Sequence, residues 1–424
     1  MDQVRDLKRK IQSDWNRLKY HVWPTEPGND YFHLMDCVVA VAGTRFVPKN
    51  HRQKTLLPIW KVYHWWCHFH SIYVISNAFA HLDRRHDFVE FSWFVMIALE
   101  VCMGHVKDLV VAKNSERIQN AQDFINERSH TLFDLYYDSE ARRKYFRTIQ
   151  IMCGAIAVVC INMFLMISIP NGQIDELFAL PSMIPFSTVL YLHFKLTLSP
   201  AWPCKIVSTT ALITSILDGF KTELQIFAHE LGRTVKHAQS DTLKQLPSSR
   251  PPSGREFDEI LFKNLRKHIL QHIRLHVKLL EELENCKPFV ELFFSVLYFH
   301  AMTLIGTYIF VILHAEFSIG SAMILMAVSV YFVKCYYWCW VISSFQDVNK
   351  QVEVYVMKLI TAIPYLKEHH SEYIGLRTAL MIMTIRTQFS AKFSCTGIAL
   401  ISVELFGNLI NVSYSVIMFL LNMM

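Results

Sequence analysis

Residues 289–313 read FVELFFSVLYFHAMTLIGTYIFVIL, an apolar run whose one formal charge is Glu291. A helix needs about 20 apolar residues to cross a hydrocarbon core of about 30 Å, so this stretch predicts a membrane span. Comparable runs at 56–79, 88–106, 148–170, 206–228, 320–343 and 395–421 bring the expected number of spans to seven. The fourth is interrupted by Asp218, Lys221 and Glu223, and 184–197 (IPFSTVLYLHFKLT) competes with it. We prefer 206–228, because its charges suit a helix that continues into the cytosol below the membrane.

The composition agrees. Of 424 residues 52% are hydrophobic and only 18% are charged, against roughly a quarter charged in soluble domains. With only 13 glycines, Gly-rich phosphate loops and repeat architectures are not expected. Lys and Arg alternate along the chain: 10 in 1–55, 8 in 107–147, 12 in 221–288 and 7 in 334–392, against 2 in 80–87 and 2 in 171–205. The basic segments belong on the cytosolic side, which puts the N-terminus inside and, after seven spans, the C-terminus outside. The net charge of +6 is therefore topological, and no nucleic-acid partner is expected. The expected fold is an all-α membrane protein.

The segments outside the membrane divide the chain. Residues 1–55 form a charged cytosolic segment without a cleavable signal peptide; within it 31–43, broken by Asp36, predicts a helix at the inner membrane face. Residues 56–343 hold six spans and cytosolic extensions, with a disordered linker expected at the Pro/Ser-rich stretch 236–256. After it Ile260, Leu261, Leu265, Ile269, Ile273, Val277 and Leu280 share one face of a long helix running through Pro288 into the fifth span. Residues 344–392 carry Val352, Val356, Leu359, Ile360 and Ile363 among charges, and 393–424 form the last span. Amphipathic helices of this kind must pack together to hide their apolar faces, so an anchor domain is expected under the membrane.

No phosphate loop, nucleophile elbow, paired-Cys motif or HExxH occurs, so no enzyme activity and no cofactor are expected. His268, His272 and His276 are spaced for a solvated stripe on a basic helix, and His64, Cys67, His68 and His70 for aromatic packing in the first span; no metal is expected at either. Most cysteines, Cys67, Cys102, Cys153, Cys160, Cys335, Cys339 and Cys395 among them, lie in or beside apolar runs, so no disulfide is expected. Asp83-Arg84-Arg85 looks like the charged triplet of G-protein-coupled receptors but falls outside the membrane on the wrong side. In the last span Glu404, Asn408, Asn411, Ser415 and Asn422 recur within roughly 40° of one line, and Glu404 is the clearest intramembrane carboxylate, with Asp218 at a span end.

The stretch 380–421 resembles the C-terminal signature of insect odorant receptors. There Arg386 to Lys392 is the basic membrane-proximal helix, Thr396-Gly397 the small-residue turn, Ser402-Val403-Glu404-Leu405-Phe406 the Ser-x-Glu-Leu-Phe-like run, and Ser413-Tyr414-Ser415 the close. Ile273 to Leu280 (IRLHVKLL) is similar to the family's Ile-x-x-His-x-x-(Leu/Ile)-Leu element with His276 as its histidine. Cys339-Trp340 starts like the Cys-Trp-Tyr-Gly element, then departs at Val341-Ile342. The gustatory branch, which closes with Gln-Phe where Leu420-Leu421 stand here, is the runner-up, and a stand-alone membrane transporter is the alternative class.

The resemblance implies an odour-tuned subunit of a ligand-gated, non-selective cation channel. Its partners would be the odorant receptor co-receptor, in a heterotetramer, a small volatile odorant and membrane lipid. Its place would be the plasma membrane of sensory neuron dendrites. A dry pocket for such a ligand is expected in the outer halves of the second, third, fourth and sixth spans, at Phe88, Phe91, Ser92, Ile161, Phe164, Thr210, Ile213, Met323 and Met326. The family's gate, an apolar ring three and seven residues after the signature tyrosine, falls on Ile417 and Leu421, about 120–160° from the polar stripe. An apolar ring closes a pore by dewetting, so Ile417 and Leu421 are expected as the constriction and the polar stripe as a contact with adjacent helices.

Overall fold

The computed structural model describes residues 30–82, 88–127, 133–168, 187–193, 201–246, 254–314, 319–390, 392–397 and 399–422. The first twenty-nine residues therefore lie outside it, as do 169–186 and the core of the expected linker, 247–253. In chain order the helices are α1 His33–Val41, α2 His51–Leu82, α3 Phe88–Lys113, α4 Ser115–Asn126, α5 Leu135–Ser168 and α6 Ser187–His193. They continue as α7 Ala201–Gln245, α8 Gly254–His314, α9 Ile319–Ala362, α10 His370–Ser390 and α11 Val403–Asn422, with a two-stranded hairpin, β1 Ser394–Cys395 and β2 Ala399–Leu400, before α11.

Helix α8 organises the bundle. Its 61 residues extend about 90 Å at 1.5 Å per residue, three times a hydrocarbon core. One part of it can span a membrane and the rest must stand outside. Pro288 sits inside α8 without ending it, as the sequence leads one to expect. Three helical stretches are long and apolar enough to cross a membrane by length and composition: Leu135–Leu165, Gly254–Leu313 and Leu325–Ala362, with Val403–Phe419 a shorter apolar helix.

The expected fourth span lies within α7, which runs unbroken to Gln245, so the first ten residues of the expected linker are helical. The charges of α7 do not project into water as expected. Asp218, Lys221 and Glu223 are buried: Lys221 pairs with Asp218 at 2.7 Å, and Glu223 pairs with Arg142 of α5. A buried carboxylate needs such a partner; α5 supplies it across the helix interface. Glu230 accepts the backbone N–H groups of Phe133 and Asp134 at 3.0 and 2.8 Å, tying the chain entering α5 to α7.

The histidine stripe is also corrected. His268, His272 and His276 are buried, because steps of four place them beside Leu261, Leu265 and Ile269 on the packed face of α8. His268 meets Asp241 at 3.2 Å, His272 meets Thr234 at 2.8 Å, and His276 meets Thr387 of α10 at 2.7 Å. Burial pushes His272 down to about 3 and His276 to about 4, so both are neutral hydrogen-bonding groups that join α8 to α7 and α10. Val352, Val356, Leu359, Ile360 and Ile363 are buried in the same layer. Helix α9 reaches them without a break from its apolar half. Helix α1 is not merely laid on a surface: Tyr31, Phe32, Met35 and Val39 are buried, and Tyr31 and Phe32 meet the Tyr145 ring of α5 at 5.8 and 6.2 Å.

Candidate gate and ligand-binding site

The last helix starts later than its apolar run. Thr396 and Gly397 take positive φ, 54° and 72°, which turns 394–400 into the hairpin and delays α11 to Val403. The turn is fixed to α8: Ser394 donates its N–H to Glu291 at 2.7 Å, and Thr396 donates its own to Ser295 Oγ at 3.1 Å. Twenty residues remain in α11, about 30 Å of helix. Glu404 therefore sits in the first turn, where the helix dipole favours a carboxylate, rather than in mid-span.

Leu405, Leu409 and Ser413 form the buried line of α11. Tyr298 of α8 donates its hydroxyl to the Leu405 carbonyl at 3.4 Å, and Phe406 meets Tyr336 of α9 with ring centroids 5.4 Å apart. The two helices approach closely at Gly306. A Cβ there would lie 2.7 Å from Val416 Cγ1 and 3.1 Å from the Ser413 carbonyl oxygen, so only glycine lets α8 and α11 pack at this separation.

Glu404, Asn408, Asn411 and Ser415 are exposed on the protomer. The expected contact with adjacent helices is not made within this chain. Within the stripe, Ser415 donates its hydroxyl to the Asn411 carbonyl at 3.0 Å. Ile417 is half-buried and Leu421 is 37% exposed. The polar stripe of α11 thus points away from the bundle that carries it, while Ile417 lies at the edge of that bundle.

The expected pocket residues fall on four helices. Thr210 and Ile213 of α7 are buried, Ile213 completely, and Met326 of α9 and Phe164 of α5 are half-buried. Phe91 and Ile161 are 41% and 58% exposed on the protomer surface. Phe88 and Ser92 lie on α3 and Met323 on α9, with side chains outside the described set. Among the described residues, Thr210 Oγ1 and its neighbour Ser208 Oγ are buried hydroxyls without a hydrogen-bond partner.

Two solved structures of the olfactory receptor OR5 from the insect Machilis hrabei superpose on most of this architecture. The one in complex with eugenol has a TM-score of 0.69 at 11% identity, covering 93% of this chain and 100% of that one. The other has 0.68 at 12% identity with the same coverage. The fold is that of an insect olfactory receptor. No protein-family model and no curated protein matches the chain, so in this olfactory-receptor fold the helix arrangement persists where sequence similarity does not.

The olfactory-receptor fold also exposes a cluster that sequence reading passed over. Glu100 of α3 is a buried carboxylate inside the bundle, whereas Glu404 is exposed. It accepts the Tyr308 hydroxyl of α8 at 3.0 Å and the Tyr331 hydroxyl of α9 at 2.6 Å. Tyr331 also meets His300 Nδ1 at 3.3 Å. Two buried lysines flank the same ring, Lys334 at 4.9 Å and Lys107 at 5.7 Å from the Tyr331 centroid. Lys334 donates to the Ile206 carbonyl at 3.3 Å. The cluster joins α3, α8 and α9 where each is otherwise apolar. The sequence signal was a carboxylate well inside the run 88–106, ten residues past Glu90 near its start, where a polar group in a membrane span is expected to have a role.

Proposed function

We propose that this chain is an odour-tuned receptor subunit of an insect odorant-gated cation channel, with seven spans, a cytosolic N-terminus and an extracellular C-terminus. The observation that carries the reading is the olfactory-receptor fold, matched over 93% of the chain, combined with the exposed polar stripe of α11. A polar stripe on a membrane-spanning helix does not face lipid. Glu404, Asn408, Asn411 and Ser415 have no helix of their own chain to face, so water or another subunit must cover them. Exposed Val354, Met357, Met381, Ile382 and Ile385 on α9 and α10 suit an anchor shared between subunits, and the partner is the odorant receptor co-receptor in the plasma membrane of sensory dendrites.

The ligand is a small volatile molecule held in the outer halves of α3, α5, α7 and α9. Machilis hrabei OR5 in complex with eugenol supports that ligand class, and the unpaired Thr210 hydroxyl beside Ile213 supplies a polar group for an apolar pocket. Ile417 and Leu421 close the pore. Cysteines placed singly at 417, 421, 411 and 415 test this with an external thiol reagent during odour-evoked recording beside the co-receptor. Block at 417 or 421 is the expected result. Block confined to 411 and 415 makes the polar stripe the pore wall and refutes the gate.

A further inference from the structure

The histidine-rich stretch of α2 looks like packing until α3 is set against it. His68 of α2 and His105 of α3 bring their Nδ1 atoms to 3.0 Å, and Asp108 lies one turn beyond His105 on the same helix face. One ligand atom from each of His68, His105 and Asp108 lies within 4.8 Å of the others. Two groups hold the carboxylate in place: Thr44, after α1, donates to Oδ1 at 3.0 Å, and Lys205 of α7 pairs with Oδ2. Asp108 and Lys205 are both buried. His64, one turn before His68, donates its Nδ1–H to the Gly43 carbonyl oxygen of the same junction at 2.6 Å.

We propose that His68, His105 and Asp108 form a binding site for a divalent transition metal of the zinc class. Two imidazoles and one carboxylate suit a borderline ion and not calcium or magnesium, which take oxygen ligands. Tetrahedral zinc with bonds of about 2.0–2.1 Å separates two nitrogen ligands by about 3.3 Å, so the two rings need to part by only a few tenths of an ångström. The fourth position falls to water. Lys205 is the competitor: without metal its ammonium neutralises Asp108, and the ion must displace it from Oδ2. The site is therefore loaded reversibly, and when loaded it clips α2 to α3 beside the exit of α1.

The full-length chain, purified in detergent, is titrated with zinc against a chromophoric chelator, and the bound metal is examined by X-ray absorption. The expected result is one zinc per chain with nitrogen and oxygen ligands, weakened about tenfold or more in His105→Gln and Asp108→Asn. Lys205→Met binds zinc more tightly than the wild type and gains thermal stability on adding it. That gain is not a consequence of misfolding, so it separates a site from a damaged bundle. Zinc binding that is absent, that is unchanged by all three substitutions, or that shows sulfur ligands overturns the proposal.

Discussion

Replacing Glu100 by leucine destabilises the folded chain by about 3–5 kcal/mol, the usual cost of leaving buried charge uncompensated. The substitution removes the acceptor of both the Tyr308 and Tyr331 hydroxyls and strands Lys107 and Lys334 in the bundle. Among the described residues Lys107 Nζ has no hydrogen-bond partner, so it leans on the carboxylate's charge most directly. Glu100→Gln keeps the shape and loses the charge. Adding Lys107→Met to Glu100→Gln recovers part of the loss, because the stranded ammonium goes with it. Thermal unfolding of the purified chain in detergent reads the series. A leucine variant as stable as the wild type would mean that water or lipid headgroups, not Glu100, balance the lysines.

Gly306→Val abolishes odour-evoked current beside the co-receptor while leaving the chain at the cell surface. The added side chain starts 2.7 Å from Val416 Cγ1, where something must move. Helix α11 is the short partner and α8 the long one packed on several sides, so α11 moves. Ile417 is adjacent to Val416 and shifts with it. Overpacking of this kind costs about 1–3 kcal/mol, less than would unfold the chain but enough to displace a gate. Val416→Ala in the same chain opens the space and restores current. Current that survives Gly306→Val undiminished would contradict a gate at Ile417 on α11.

How much of this was legible in the sequence follows from what periodicity can carry. The passage of α8 through Pro288 and the burial of Val352, Val356 and Leu359 could be read because each depends on one helix and its own apolar spacing. The histidines at 268, 272 and 276 read as a solvated stripe because they lie on a basic helix, and only α7 and α10 supply the Asp241, Thr234 and Thr387 that pair with them. Glu404 attracted notice within a long apolar run, but the positive φ of Thr396 and Gly397 moved the helix start to its door. Glu100 gained its meaning from phenols more than 200 residues away in sequence. The same holds for His68, whose partners His105 and Asp108 stand on another helix. A pocket wall is of this second kind: of the residues expected to line one, Thr210 and Ile213 are buried and Ile161 lies on the protomer surface, a difference that apolar spacing alone does not carry.

The central claim, that the chain is an odour-tuned subunit opening a pore with the co-receptor, is tested most directly by current. Cells expressing the co-receptor with this chain, the chain alone, or the co-receptor alone are exposed to a panel of volatile aromatics and esters under voltage clamp. The account predicts a non-selective cation current evoked by a subset of the panel only when both proteins are present. Concentrative uptake of a solute by the chain alone, with no odour-evoked current in the pair, would contradict it.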